Sequence, residues 1–170
     1  MIISNSSPLI LLTKINRLNL AKKLYKKIYI PAEVYTEVVV KGKNEKYGDA
    51  FVIEKEINAF IFIKELNSEY KKEAEKITGR IGTGESQAIA LCLQENADLL
   101  LIDNLEPRKI AEIKKISCRS TPGILLEALK NKVISLTEYE SDIKELTEYA
   151  WLSGTIVAQF LEAGYKLKGK

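Results

Sequence analysis

The chain begins Met1-Ile2-Ile3-Ser4-Asn5-Ser6-Ser7-Pro8-Leu9-Ile10, and this stretch decides how the rest is interpreted. Its apolar start predicts a short buried strand, and Asn5, Ser6 and Ser7 place side-chain oxygens where that strand ends. Pro8 suits the first turn of a helix, because its missing N–H group would have no helical partner there. Ligands of open α/β sheets bind at the carboxyl ends of strands. The opening stretch therefore predicts one side of a binding site.

Short apolar segments alternate with amphipathic ones along the chain. Beyond the first, strands are predicted at 28–30, 60–63, 99–102 and 116–119. This alternation predicts an α/β fold, in which a mostly parallel sheet lies between two layers of helices as a three-layer α/β/α domain. We expect a core over residues 1–130 and a C-terminal helical extension over residues 131–170. The apolar face of that extension fits either packing on the core or a dimer interface.

Composition narrows the chemistry. Histidine is absent, which excludes Ser-His-Asp and Cys-His catalysis and histidine-ligated zinc. An enzyme built from this chain must use carboxylates, with an ion that prefers oxygen ligands, such as Mg²⁺ or Mn²⁺. No apolar run approaches the roughly 20 residues that span a bilayer, and the opening lacks the pattern of a signal peptide. We therefore expect a cytoplasmic protein without a membrane partner.

Two other sets of residues have ordinary explanations. Cys92 and Cys118 are too few for a disulfide framework, and both are predicted to be buried free thiols. Four lysines recur at helical spacing on one early helix, which fits either a solvated face or a stripe that contacts phosphates. These are Lys22, Lys23, Lys26 and Lys27.

The glycines of residues 79–84 have the spacing of a phosphate-binding P-loop. Glu85 stands where that motif requires lysine, so a negative charge would face the phosphates. No predicted strand precedes the loop, and nucleotide binding is therefore not expected. Glu85 instead begins a helix, whose dipole favours a carboxylate there by about 0.3–1 kcal/mol. For an isolated glutamate, that interaction would be a sufficient explanation.

Oxygen-bearing side chains from four segments are predicted to meet at one edge of the sheet. Asn5 and Asp103 follow two strands, Glu37 lies on a helix entered directly from a strand, and Glu85 begins a later helix. Converging carboxylates repel one another and need a cation to compensate them. Glu37 taken alone fits an exposed helix residue, but the four together predict a divalent metal site.

Four segments resemble PIN-domain proteins in order and spacing. They are ISNSSPLI at 3–10, IPAEVYTEV at 30–38, GTGESQAIA at 82–90 and ADLLLIDN at 97–104, and TPGIL at 121–125 continues the likeness. The resemblance covers roughly residues 1–130, a PIN-like core. It points to a prokaryotic subfamily that opens with Asn-Ser-Ser-Pro in place of the usual first Asp. It implies an α/β/α fold and Mg²⁺- or Mn²⁺-dependent cleavage of RNA, often by the toxin of a toxin–antitoxin pair.

The resemblance also implies roles for individual residues. Its catalytic and metal-binding positions fall on Asn5, Glu37, Glu85 and Asp103. The hydroxyl that follows the first Asp falls on Ser6 or Ser7, and Asn104 competes with Asp103 through a one-residue shift. Among the lysines near the cleft, Lys14 is expected to contact phosphate.

Asn5 is the departure from the family pattern. An amide oxygen can ligate a hard cation, but it brings no charge, so metal affinity should fall and with it the supply of metal-activated water. The leading hypothesis is a PIN-type, metal-dependent endoribonuclease with RNA as its partner and an antitoxin or a second copy as further partners. The alternative is a catalytically weakened PIN scaffold that binds RNA or protein.

Overall fold

A computed structural model describes residues 1–169 and contains one sheet of five parallel strands in the order β3-β2-β1-β4-β5. The strands are β1 (Ile2–Ser4), β2 (Ile28–Ile30), β3 (Ile61–Ile63), β4 (Leu99–Leu101) and β5 (Cys118–Arg119). Every predicted strand is present, with ends shifted by up to two residues. Helices cover both faces of the sheet, so the predicted three-layer α/β/α fold is confirmed.

The helices follow the predicted order, with one notable difference. They are α1 (Ser6–Lys14), α2 (Leu18–Tyr25), α3 (Ala32–Tyr35), a π-helix (Thr36–Lys41), α4 (Gly42–Asn44), α5 (Gly48–Glu56), α6 (Ser68–Thr78), α7 (Thr83–Glu95), α8 (Leu105–Ile113), α9 (Thr121–Lys130), α10 (Leu136–Leu146) and α11 (Gly154–Leu167). The helix that follows β2 is expected from the sequence to end at Val40, before a polar loop, but it continues through the π-helix into α4. A π turn inside a helix is frequent at functional sites, and Glu37 lies in this one.

The order in which strands are added to the sheet reverses at β1. The chain adds β2 and β3 on one side of β1 and then returns to place β4 and β5 on the other side. The register pairs Ser4 with Leu101, so β1 and β4 end side by side. A crevice opens at such a switch point because the connections from the two strands leave in opposite directions. Asn5 and Asp103 follow these two strands and therefore lie on either side of it.

Two hydrophobic clusters hold the helical layers against the sheet. Successive side chains of a strand point to opposite faces, and accordingly Leu100 packs in one cluster while Leu99 and Leu101 pack in the other. The cluster of Leu100 includes the buried face of α7, and this packing fixes the position of Glu85 in the first turn of that helix. The other cluster includes α1, α9 and part of the C-terminal helices.

The C-terminal helices α10 and α11 pack against α9. The fully buried Tyr139 of α10 donates its hydroxyl to the carbonyl of Phe160, at 2.6 Å, and its ring lies against Gly164 of α11. A Cβ atom at Gly164 would approach the ring to 2.9 Å at Cδ1, so glycine allows the two helices to dock. Part of the apolar face of the extension is thereby buried. The division at residue 130 stays a prediction.

Three sequence expectations can be compared with these positions. Cys92 is buried as predicted, but the prediction for Cys118 is wrong because it lies half-buried in the edge strand β5. The four lysines that fit either a solvated face or a phosphate-contacting stripe are exposed, and they lie before β2, at the end of the sheet opposite the edge that Asn5 follows. Within residues 1–169, no helix is long and apolar enough to cross a bilayer.

Candidate active site

Asn5 lies directly beyond β1 at the N-cap position of α1. Its backbone N–H donates to the carbonyl of Leu101 at 3.2 Å, which fixes it beside the end of β4. The side chain is 2% exposed and makes no capping hydrogen bond. Its Oδ1 atom has no hydrogen-bond partner within residues 1–169. A buried oxygen without a partner costs about 1–3 kcal/mol, so this atom is placed as a ligand would be.

Glu37 reaches the amino-terminal end of α7 from the π-helix. It accepts a hydrogen bond from the Ser6 hydroxyl. Its carboxylate also lies against Gly84, where an added Cβ atom would be 2.6 Å from Oε1 and 2.5 Å from Oε2. Glu37 is therefore half-buried, unlike the exposed helix residue that its sequence position alone suggests. The dipole of α7 favours a negative charge at this end.

Glu85 is held by two neutral donors at the start of α7. The backbone N–H of Gly82, the N-cap residue, donates to Oε2 at 3.1 Å. The side-chain amide of Asn104 donates to Oε1 at 2.5 Å. Glu85 thus closes the first turn of its helix while its other oxygen faces the residue that follows Asp103.

Asp103 is fixed by the first residue of α9. Thr121 donates its backbone N–H to Oδ1 at 2.7 Å and its hydroxyl to Oδ2 at 2.8 Å. Burial raises the pKa of the Asp103 carboxyl, and the two bonds from Thr121 and the positive charge of Arg108 oppose that shift. The sequence predicts that Thr121 lies at the start of a helix, as it does, but it carries no signal that this residue bonds Asp103.

The three carboxylates share one electrostatic property. Glu37, Glu85 and Asp103 accept hydrogen bonds only from neutral groups, and none has a cationic partner within 4.0 Å among residues 1–169. In the same part of the chain, no three acidic, cysteine or histidine side chains are grouped closely enough to hold an ion. Because like charges repel, the three carboxylates stay apart, and each is held by the neutral donors beside it.

Two of the remaining predicted residues, Ser7 and Asn104, lie at a cavity of about 600 Å³ at the same edge of the sheet. Ser7, Asp103 and Asn104 line one side of it. Lys14 is placed differently, because its ammonium group lies 5.4 Å from the centroid of the Tyr149 ring. The structure therefore associates Lys14 with the C-terminal side of the cavity rather than with the carboxylates.

Comparison with known proteins places the chain in a family. A family model described as a PIN domain matches residues 1–164. The chain belongs to the PIN-domain family. The match extends beyond the part that carries the sequence resemblance and includes α10 and most of α11. No curated protein and no solved structure matches the chain significantly. The PIN-domain family suggests a nuclease-type function, and its nucleases generally use divalent metal ions and typically bind RNA.

Proposed function

We propose that this PIN-domain protein is an endoribonuclease that requires Mg²⁺ or Mn²⁺. The observation that supports this most directly is the set of three carboxylates at the carboxyl edge of the sheet, each held by neutral donors alone. Their negative charge lies beside the switch point of the sheet, where α/β proteins bind their ligands. A cation bound there would compensate the charge.

The donor types at this edge suit a hard divalent cation, but the carboxylates would have to move closer together to share one. Mg²⁺ and Mn²⁺ prefer oxygen ligands, and the unpartnered Oδ1 of Asn5 is a buried oxygen with a free position for one. Glu37, Glu85 and Asp103 would hold one or two ions, with Asn5 as the neutral ligand. Such an ion would supply a water of lowered pKa for attack on a phosphodiester and would stabilise charge on the leaving oxygen.

The protein's own contribution is to orient these groups. Ser6 would hold one oxygen of Glu37, and Thr121 would hold the carboxylate of Asp103. Asn104 and Gly82 together would fix Glu85. Neutral donors suit this purpose, because they restrict the direction of a carboxylate without neutralising the charge that attracts the ion.

A toxin role in the cytoplasm, with an antitoxin or a second copy as partner, is the narrower form of this proposal. The second candidate function is a weakened scaffold that binds RNA or protein without cleaving it. Asn5 favours that alternative, because an amide leaves the set one negative charge short of the active family pattern. The absence of a grouped acidic triplet within residues 1–169 favours it too.

Metal-dependent cleavage tests the proposal. Purified protein should cleave single-stranded RNA in the presence of Mn²⁺, and excess EDTA should stop the reaction. The products can be separated on a denaturing gel. Glu73→Gln is a suitable control variant, because that carboxylate already pairs with Lys76 and Lys114 on the protein surface, and it should cleave at the parental rate. Binding of RNA without cleavage under any metal would instead support the scaffold.

Asn5→Asp should strengthen metal binding about 10-fold and raise the cleavage rate, because it adds a charge at the position that lacks one. The site is 2% exposed and Oδ1 has no donor, so the new carboxylate should lower thermal stability in EDTA. Mn²⁺ should then raise the Tm of this variant more than that of the parent. Equal Tm shifts in a thermal titration would show that Asn5 does not face the metal.

A further inference from the structure

We propose that the C-terminal extension provides a base-stacking subsite, in which Trp151 stacks on a base of single-stranded RNA. The RNA would lie across the carboxylate edge, the part of the sheet edge that carries Glu37, Glu85 and Asp103. The subsite rests on the proposed nuclease function, since it would position the same RNA. Its location follows from the cavity of about 600 Å³, which Asp103 and Ser7 line on one side and Tyr149 and Trp151 on the other. A molecule that fills this cavity touches both walls.

Several exposed apolar side chains line this cavity. Trp151 is fully exposed, and Leu105, Tyr149 and Ile156, which line the same cavity, are 66%, 44% and 39% exposed. Single exposed apolar side chains need no explanation, but several around one cavity mark a binding surface. The connection between α10 and α11 therefore presents an aromatic surface beside the candidate active site.

Cationic groups accompany these aromatic rings. The ammonium of Lys14 lies 5.4 Å from the centroid of Tyr149, and Arg108 lines the cavity with its guanidinium 3.1 Å from Glu112. Sites for single-stranded nucleic acids combine aromatic faces for bases with positive groups for the backbone. Because the carboxylates repel phosphates, positive groups beside them are needed to hold the RNA backbone. A duplex would not fit as well, because its bases are stacked inside.

The chain contains one tryptophan, so intrinsic fluorescence reports on the proposed contact directly. Full-length protein in EDTA should be titrated with an oligoadenylate of ten nucleotides, with an abasic chain of equal length and with inorganic polyphosphate. We expect saturable quenching of Trp151 by oligoadenylate and little by the other two. Trp151→Leu, which keeps apolar character but removes the ring, should bind a labelled oligoadenylate roughly 10-fold more weakly in an anisotropy assay, whereas Trp151→Phe should retain most of the affinity.

Ile113→Ala is the matched control, because that side chain is 81% exposed and does not line the cavity; its affinity should equal the parental one. In RNA cleavage, Trp151→Leu should raise KM with little change in kcat, as expected when a remote binding contact is lost. Equal quenching by the abasic chain would overturn the subsite. The subsite would also be overturned if Trp151 fluorescence changed with protein concentration, as in dimerisation, but not on addition of RNA. Either result can coexist with Mn²⁺-dependent cleavage, whereas quenching without cleavage would contradict the nuclease proposal alone.

Discussion

Asp103→Asn should reduce Mn²⁺-dependent cleavage of single-stranded RNA by at least about 100-fold, because changes in groups that only support a metal ligand already cost 10- to 100-fold. The substitution preserves shape, and Asn can still accept the Thr121 N–H that now bonds Oδ1 at 2.7 Å. Because burial raises the pKa of this carboxyl, removing its charge should leave the Tm in EDTA unchanged or higher. Rates measured on denaturing gels and Tm values from calorimetry test the two parts separately.

Glu85→Gln should have a similar effect on cleavage, since it also removes one charge at the sheet edge. Both variants should be purified alongside the parent and the Glu73→Gln control. Cleavage that persists unchanged in both site variants would come from a contaminating nuclease and would refute the assignment of these carboxylates. A loss of cleavage accompanied by a large fall in Tm would mean that the variant has unfolded rather than lost its metal.

The fold was predictable because it depends on patterns that repeat along the chain. Apolar segments such as Leu99–Leu101 alternate with amphipathic helices, and this order leaves few arrangements other than a parallel sheet between two helical layers. The prediction that failed for Cys118 depends on which strand lies at the edge of the sheet. Cys118 is only half-buried because β5 is an edge strand, and the strand order that makes it one depends on long-range pairing.

The candidate site was predictable in position more than in contacts. Strand ends locate Asn5 and Asp103 at the switch point, because both depend only on where β1 and β4 stop. The partners of each carboxylate come from distant segments, as with Thr121 from the turn after β5. Periodicity carries no information on such pairs. Gly84 is a further example, since nothing local distinguishes a glycine required by Glu37 from one that only begins a helix.

Substitution of Gly84, whose contact with Glu37 the sequence does not reveal, gives the sharpest test of how Glu37 is positioned. Gly84→Ala places a methyl group 2.5–2.6 Å from both Glu37 oxygens, closer than carbon and oxygen approach. The carboxylate is the flexible end of a long side chain, so it should move away and lose its bond from Ser6. Alanine is favoured over glycine in a helix by up to about 1 kcal/mol. We therefore expect an unchanged or higher Tm together with a roughly 100-fold loss of cleavage.

Gly79→Ala is the matched control, because Gly79 is the C-cap residue that follows α6, has an ordinary helical φ of −67° and has open space where its Cβ would lie. A double-mutant cycle shows whether Gly84→Ala reduces cleavage through Glu37. If Gly84→Ala acts by moving Glu37, adding it to Glu37→Gln should reduce cleavage no further than Glu37→Gln alone. Independent, additive losses would place the effect of Gly84 elsewhere in α7. Retained cleavage in Gly84→Ala would show that the position of Glu37 against this helix is not required for activity.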